Sequence, residues 1–159
     1  MKRNNILIDH TLIIDELERS IKFYNLNSIL SFLPKGSYLV GGYIRDIILK
    51  RVTEKVDIDI VVPFNAIEVG KIISENFKSK FIILDKEREV VRIILNHISI
   101  DIANQISSTI EGDLSSRDFS INSIAFLFDK RLLFDPLNGI KDLEFSLLKT
   151  YSEINLLND

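Results

Sequence analysis

Apolar positions recur with two different periods along this chain, and the switches between them predict its elements. Residues 11–32 carry Leu12, Ile13, Leu17, Ile21, Tyr24, Ile29 and Phe32 at mostly helical spacing, with a break around Asn25-Leu26-Asn27. Ser37-Tyr-Leu-Val-Gly-Gly reads as a short strand running into a glycine turn, and Tyr43 to Lys50, with Ile44, Ile47, Ile48 and Leu49, as the helix that follows. Val56-Asp-Ile-Asp-Ile-Val-Val is rich in β-branched residues and stopped by Pro63, which predicts a strand. Asn65 to Phe77 carries Ile67, Val69, Ile72, Ile73 and Phe77 on a helical period. Phe81–Leu84, Glu89–Leu95 and His97–Ala103 are three more strands, separated by Asp85-Lys86-Glu87 and by Asn96. A polar stretch, Asn104 to Ser116, leads into a short helix at Ser120–Ile124. Ala125 to Phe134 is hairpin-like around Asp129-Lys130 and ends at Asp135-Pro136. This order predicts an α+β domain, with a mixed sheet of about five strands and helices on one face.

A length of 159 residues suits one domain with a real core, and no internal repeat divides it. The absence of cysteine excludes disulfides and thiolate-held metals. The opening Met1-Lys-Arg-Asn-Asn runs into Asp9 and His10 with no apolar segment of signal-peptide length, and no run approaches the roughly 18 apolar residues that a membrane span requires. A cytoplasmic location is the expectation. A net charge of −3 argues against a strong grip on RNA by this segment alone, because phosphate binders are usually basic. It leaves room for a small nucleotide whose phosphates a metal neutralises.

Three features carry candidate chemistry. In Asp57-Ile58-Asp59, strand alternation sends both carboxylates to one face while Ile58, Ile60 and Val62 turn to the core. Two such acids repel unless a cation shares them, and hard oxygen ligands suit Mg²⁺; an exposed acidic pair on an edge strand is the plainer reading. Upstream, Leu39-Val-Gly41-Gly42-Tyr-Ile-Arg45-Asp46 puts two glycines between strand and helix, where backbone can approach a phosphate and Arg45 can fork onto it. The same glycines also suit an ordinary structural turn. Downstream, Asp101 stands among apolar neighbours in the strand Ile98-Ser-Ile-Asp-Ile-Ala, where a lone acid needs a partner. Beside Asp57 and Asp59 it would complete a two-metal site for phosphoryl transfer. His10 and His97 are too far apart to form a motif and read as surface or strand residues. Lys50-Arg51 and Lys86-Glu87-Arg88 read as solvated turns, the first of them near any RNA end. Phe32, Phe77 and Phe81 read as core.

The order Gly-Gly, Asp-x-Asp, later strand Asp resembles the DNA polymerase β-like nucleotidyltransferase superfamily. Glu111-Gly-Asp-Leu-Ser-Ser-Arg117-Asp118-Phe-Ser-Ile-Asn122-Ser-Ile-Ala125 narrows this, since it is similar to the "DL–RRDFTINA–A" motif of the tRNA CCA-adding enzymes and bacterial poly(A) polymerases. Leu39 to Asp46 resembles that family's "GG-VRD" segment, Ile83 to Arg92 its intervening strand pair, and Phe134-Asp-Pro-Leu-Asn-Gly139-Ile-Lys-Asp142-Leu its "DP–G–DL" connector. Together these cover roughly residues 37–150, in family order.

The resemblance implies a nucleotidyltransferase that adds CMP or AMP from CTP and ATP to the 3′ end of tRNA by two-metal phosphoryl transfer. Asp57, Asp59 and Asp101 would hold Mg²⁺ and be catalytic. Gly41, Gly42, Arg45, Arg117 and Asn122 would bind the nucleotide, supported by Asp46 and Asp118. Residues 1–150 would be the head domain and 151–159 the start of a truncated neck, with base selection and most of the tRNA grip lying further on. The family's double arginine is Ser116-Arg117 here, and its Thr and Ala are Ser120 and Ser123. A poly(A) polymerase, or a nucleotide- or RNA-binding module without turnover, are the alternatives.

Overall fold

A computed structural model describes residues 9–51 and 55–150. The first helix, α1 (His10–Phe23), is capped by Asp9, whose carboxylate accepts the Thr11 N–H, and buries Ile13, Leu17 and Ile21. The chain breaks at Tyr24–Leu26, as the pattern predicts, and continues as the single turn α2 (Asn27–Leu30). Then follow β1 (Tyr38–Val40), α3 (Gly42–Ile48), β2 (Val56–Val62), α4 (Ala66–Phe77), β3 (Lys80–Asp85), β4 (Val90–Leu95) and β5 (Ile98–Asn104). Next come α5 (Ile110–Ser115), a 3₁₀ turn at Ser120–Asn122, β6 (Ala125–Leu127), β7 (Leu132–Phe134) and α6 (Gly139–Glu144).

One mixed sheet runs β3-β4-β5-β2-β1-β6-β7. Its β2–β5 pair is parallel and the others are antiparallel. It has seven strands where about five were expected, because the terminal hairpin pairs onto β1 and extends the sheet. The α+β class with helices on one face holds: α1, α2, α3, α4 and α6 bury Leu17, Ile29, Ile44, Ile73 and Ile140 against Leu39, Ile60, Ile100 and Phe126. The short α5 lies on the other face, with Ile110 and Leu114 against Val40, Val61 and Ala125. Phe77 and Phe81 pack on the main core, whereas Phe32 is partly exposed and meets Phe77 edge to face. No helix among the described residues is long and apolar enough to cross a membrane.

Two helices lie where the sequence pattern showed none. The helix α5 sits within the polar stretch Asn104 to Ser116, started by Thr109, whose hydroxyl accepts the Gly112 N–H. Buried Asp113 ties the preceding loop to it by accepting N–H groups of Ile106 and Ser107 at 3.1 and 2.5 Å. The helix α6 starts on Asp135, whose carboxylate accepts from the Gly139 and Ile140 N–H groups at 2.6 and 3.0 Å. Each has six residues, under two turns, too few for an apolar period to show.

The helix α6 clamps the 3₁₀ turn. Asp142 is 1% exposed and accepts from Ser120 Oγ at 2.7 Å and Lys149 Nζ at 2.5 Å, while the Ser120 N–H donates to the Lys149 carbonyl. Gly139 approaches this turn so closely that a Cβ there would stand 2.1 Å from the Ser120 carbonyl oxygen. Replacement Gly139→Ala is therefore expected to destabilise the fold by about 1–3 kcal/mol, the range for overpacking a tight contact. Urea denaturation checks this, and an unchanged midpoint contradicts it.

Candidate active site

The site lies on the sheet face opposite the main helices and begins with the phase of β2. Ile58, Ile60 and Val62 point into the core, so Asp57 and Asp59 point to the other face, Asp57 exposed and Asp59 half-buried. The register places Asp59 beside Asp101 of β5 and Val40 of β1, and Asp101 beside Arg92 of β4. Arg92, Asp101, Asp59 and Val40 thus form one cross-strand row, which continues to Ala125 of β6. Asp57 lies one step along β2, opposite Ser99. Burial raises the Asp59 pKa; nearby Arg117 opposes the shift, and the charges of Asp101 and Asp57 add to it.

The glycine turn between β1 and α3 sits directly over this row. Gly41 has φ 78°, in the region that favours glycine, and its N–H donates to the Ile124 carbonyl at 3.1 Å. A Cβ at Gly41 would stand 2.9 Å from Arg117 Nη1 and 3.2 Å from Asp59 Oδ2, so a side chain there would displace the ends of both groups. At Gly42 it would stand 3.3 Å from Arg45 Nη2. Arg45 is held from two sides: Nη1 donates to Asn122 Oδ1 at 2.7 Å, and Nε and Nη2 donate to the Asp46 carboxylate at 2.9 and 3.2 Å. Arg117 is half-buried; burial lowers its pKa, and Asp59, Asp113 and Asp118 oppose that shift. The structure thus gathers Gly41, Gly42, Arg45, Asp46, Asp59, Arg117 and Asn122 from widely separated segments into one place.

An open cleft of about 740 Å³ leads to Asp57 and Asp59. Its walls carry Arg19 and Phe23 from α1, together with Lys50, Arg51 and Lys55 beside α3. Lys50 and Arg51 therefore lie at the site rather than in an unrelated turn. The part played by α1 was not legible, since its period reports only the face that packs on the core. The hydroxyls of Ser20 and Tyr43, 2.5 Å apart, fasten α1 to α3. His10 and His97 are both exposed and line no part of this cleft.

The expected cluster of three carboxylates is not assembled. Asp101 shares the row with Asp59, but both of its oxygens accept from Arg92, Nε to Oδ1 at 2.6 Å and Nη2 to Oδ2 at 2.7 Å. Among the described residues no three acidic or imidazole groups stand ready to hold a metal. The reason is the strand register, which puts a guanidinium opposite Asp101. Arg92 was read only as part of a strand pair, although a signal was present. A two-residue hairpin at Asn96-His97 pairs Leu95 with Ile98 and, counting outward, Arg92 with Asp101. Asp57 and Asp59 do suit a hard divalent cation, being oxygen donors on one face whose mutual repulsion a cation would relieve.

Residues 37–149 match the family model described as the poly A polymerase head domain. The CC-adding tRNA nucleotidyltransferase of Synechocystis sp. is 40% identical over 130 residues, 82% of this chain and 31% of that protein. The A-adding tRNA nucleotidyltransferase of Deinococcus radiodurans is 35% identical over 126 residues, 79% of this chain and 28% of that one. Among solved structures, a CCA-adding enzyme in complex with CTP superposes with a TM-score of 0.70 at 32% identity, covering 86% of this chain and 34% of the other. The Thermotoga maritima CCA-adding enzyme complexed with tRNA superposes with a TM-score of 0.66 at 34% identity, covering 77% of this chain and 30% of the other. The chain thus spans about a third of the length of the proteins it matches.

The raised pKa of Asp59 makes a stability prediction. Its ionisation costs the folded, metal-free protein stability; the cost is complete above the raised folded-state value and absent below the ordinary one. Asp59→Asn should therefore raise the unfolding midpoint of metal-free protein at pH 7 and leave it unchanged well below pH 4. A midpoint lowered at pH 7, measured by thermal unfolding in a chelator, contradicts the assignment.

Proposed function

The chain belongs to the poly(A) polymerase head-domain family, and from that premise we propose that it is the catalytic head of a template-independent RNA nucleotidyltransferase that adds CMP or AMP, from CTP or ATP, to the 3′ end of tRNA. The observation that carries this reading is the meeting of Asp59, Arg117 and the Gly41 turn at one point, beside Asp57 and above the cleft. Acids for a cation, arginines for phosphates and bare backbone between them are what transfer of a nucleotidyl group requires. The relatives that add CC or A to tRNA support tRNA over a generic primer. Residues 1–150 serve as the head in this reading; 151–159, expected to begin a neck, lie outside the described residues. A cytoplasmic location belongs to the same reading, since tRNA and free nucleotides are there.

Mg²⁺ would be held by Asp57 and Asp59, and when bound it supplies the positive charge that sharpens the 3′-hydroxyl as nucleophile and neutralises the departing pyrophosphate. The chain's own groups do the rest. Arg117, fixed against the Gly41 turn, presents its guanidinium to the triphosphate. Arg45, held at one end by Asp46 and at the other by Asn122, has a set direction before any ligand arrives. That preorganisation lowers the entropy lost on binding. Asn122, by accepting from Arg45, ties α3 to the 3₁₀ turn. Lys50 and Arg51 give one side of the cleft a basic wall along which an RNA strand can approach, while Arg19 is paired with Glu16.

Incubating the protein with Mg²⁺, labelled CTP or ATP, and tRNA lacking its CCA end tests the reading. Slow, weak labelling of that tRNA, and none of an unrelated oligonucleotide, is the expected result. Long A tails on both would favour the poly(A) polymerase reading that the family description suggests, and nucleotide binding without transfer would favour a binding module. Asp57→Ala should abolish incorporation while far-UV circular dichroism stays unchanged. Arg117→Ala should weaken triphosphate binding by roughly 1.5–3 kcal/mol, the range for a charge-assisted hydrogen bond, and leave the weak binding of the free nucleoside unaltered. Calorimetric titration of both ligands separates the two; equal losses for triphosphate and nucleoside contradict a phosphate role.

A further inference from the structure

The pair Arg92–Asp101 is left over by the reading above, on which the following rests. The two residues are direct partners across β4 and β5, and the guanidinium covers both carboxylate oxygens in a bidentate fork. We propose that Arg92 is a positioning residue: it holds Asp101 in line with Asp59 and competes with a divalent cation for that carboxylate, so that Asp101 becomes a metal ligand only when Arg92 lets go.

Three observations carry this. Asp101 is the neighbour of Asp59 in the parallel register, so a cation held at Asp57 and Asp59 lies next to it. The Arg92 and Asp101 side chains are 41% and 24% exposed. Water reaches both partners, so a hydrated cation can meet this carboxylate beside the guanidinium. Finally, the acids are flanked by guanidinium groups at both ends of the row. Arg117 is half-buried beside Gly41 and Asp59, whereas Arg92 stands on an antiparallel strand with its side chain 41% exposed. A guanidinium opposite the third carboxylate also keeps the metal-free site from carrying three adjacent uncompensated charges, which would repel one another.

Binding of Mn²⁺, followed by electron paramagnetic resonance of the free ion, tests the proposal without relying on turnover. Arg92→Ala removes a competing cation and frees a ligand, so Mn²⁺ should bind roughly tenfold tighter, equivalent to about 1.4 kcal/mol. Arg92→Lys keeps the charge without the fork and should fall between that variant and the wild type. In an Asp101→Asn background most of the gain from Arg92→Ala should vanish. Equal or weaker Mn²⁺ binding by Arg92→Ala, with an unchanged circular dichroism spectrum, overturns the proposal. If Arg92→Ala does not fold, Arg92→Lys decides: affinity no higher than wild type overturns it equally. Asp59→Asn distinguishes failure of the underlying reading, because Mn²⁺ binding that survives this substitution places the cation elsewhere whatever Arg92 does.

Discussion

The parallel pairing of β2 with β5 is the constraint on which the rest of this structure depends. Both strands bury one side against the helices, through Ile58, Ile60 and Val62 in β2 and Ile98, Ile100 and Ile102 in β5. Burial of such a side chain stabilises the fold by about 1.5–3 kcal/mol. Repulsion between two unit charges 4 Å apart costs roughly 1 kcal/mol in water and 4 kcal/mol near a protein surface. Six buried aliphatic side chains outweigh that, so the hydrophobic side sets the phase of both strands. Asp57, Asp59 and Asp101 then share a face whether or not they repel. The crowding of negative charge is a consequence of core packing, and the guanidinium groups of Arg92 and Arg117 offset it.

Around that acidic row the chain distributes its positive groups by different means. Arg117 comes from the segment after α5, and its place depends on the clamp that Asp142, Ser120 and Lys149 close on the neighbouring 3₁₀ turn. Arg45 comes from α3 and is aimed by Asp46 and Asn122. Arg92 comes from the sheet itself. Arg45 is thus held by hydrogen bonds from two sides, Arg117 is half-buried beside Gly41 and Asp59, and Arg92 forks onto its acid at the more open end.

Much of the fold was legible because its long elements repeat their pattern often enough to be read. The helices α1 and α4 span 14 and 12 residues, and β2 and β5 seven each. The six-residue helices α5 and α6 were not, because capping by Thr109 and Asp135 and burial of Asp113 and Asp142 hold them together, and none of these leaves a period. The joining of the last hairpin to β1 was likewise invisible, since alternation reports a strand and not its neighbour.

By itself the sequence determined which residues could do chemistry and on which side of their own strand or helix they stand. Alternation put Asp57 and Asp59 together, glycines marked the turn before α3, and the order of motifs resembled one family. Tertiary structure decided what each of them meets. It brought Arg117 within reach of Gly41 and Asp59, made α1 the wall of the cleft, and gave Asp101 to Arg92 rather than to a ready-made metal cluster. The physical reason is that local periodicity fixes orientation within an element, whereas partnership between side chains depends on the register and packing of elements far apart in the chain.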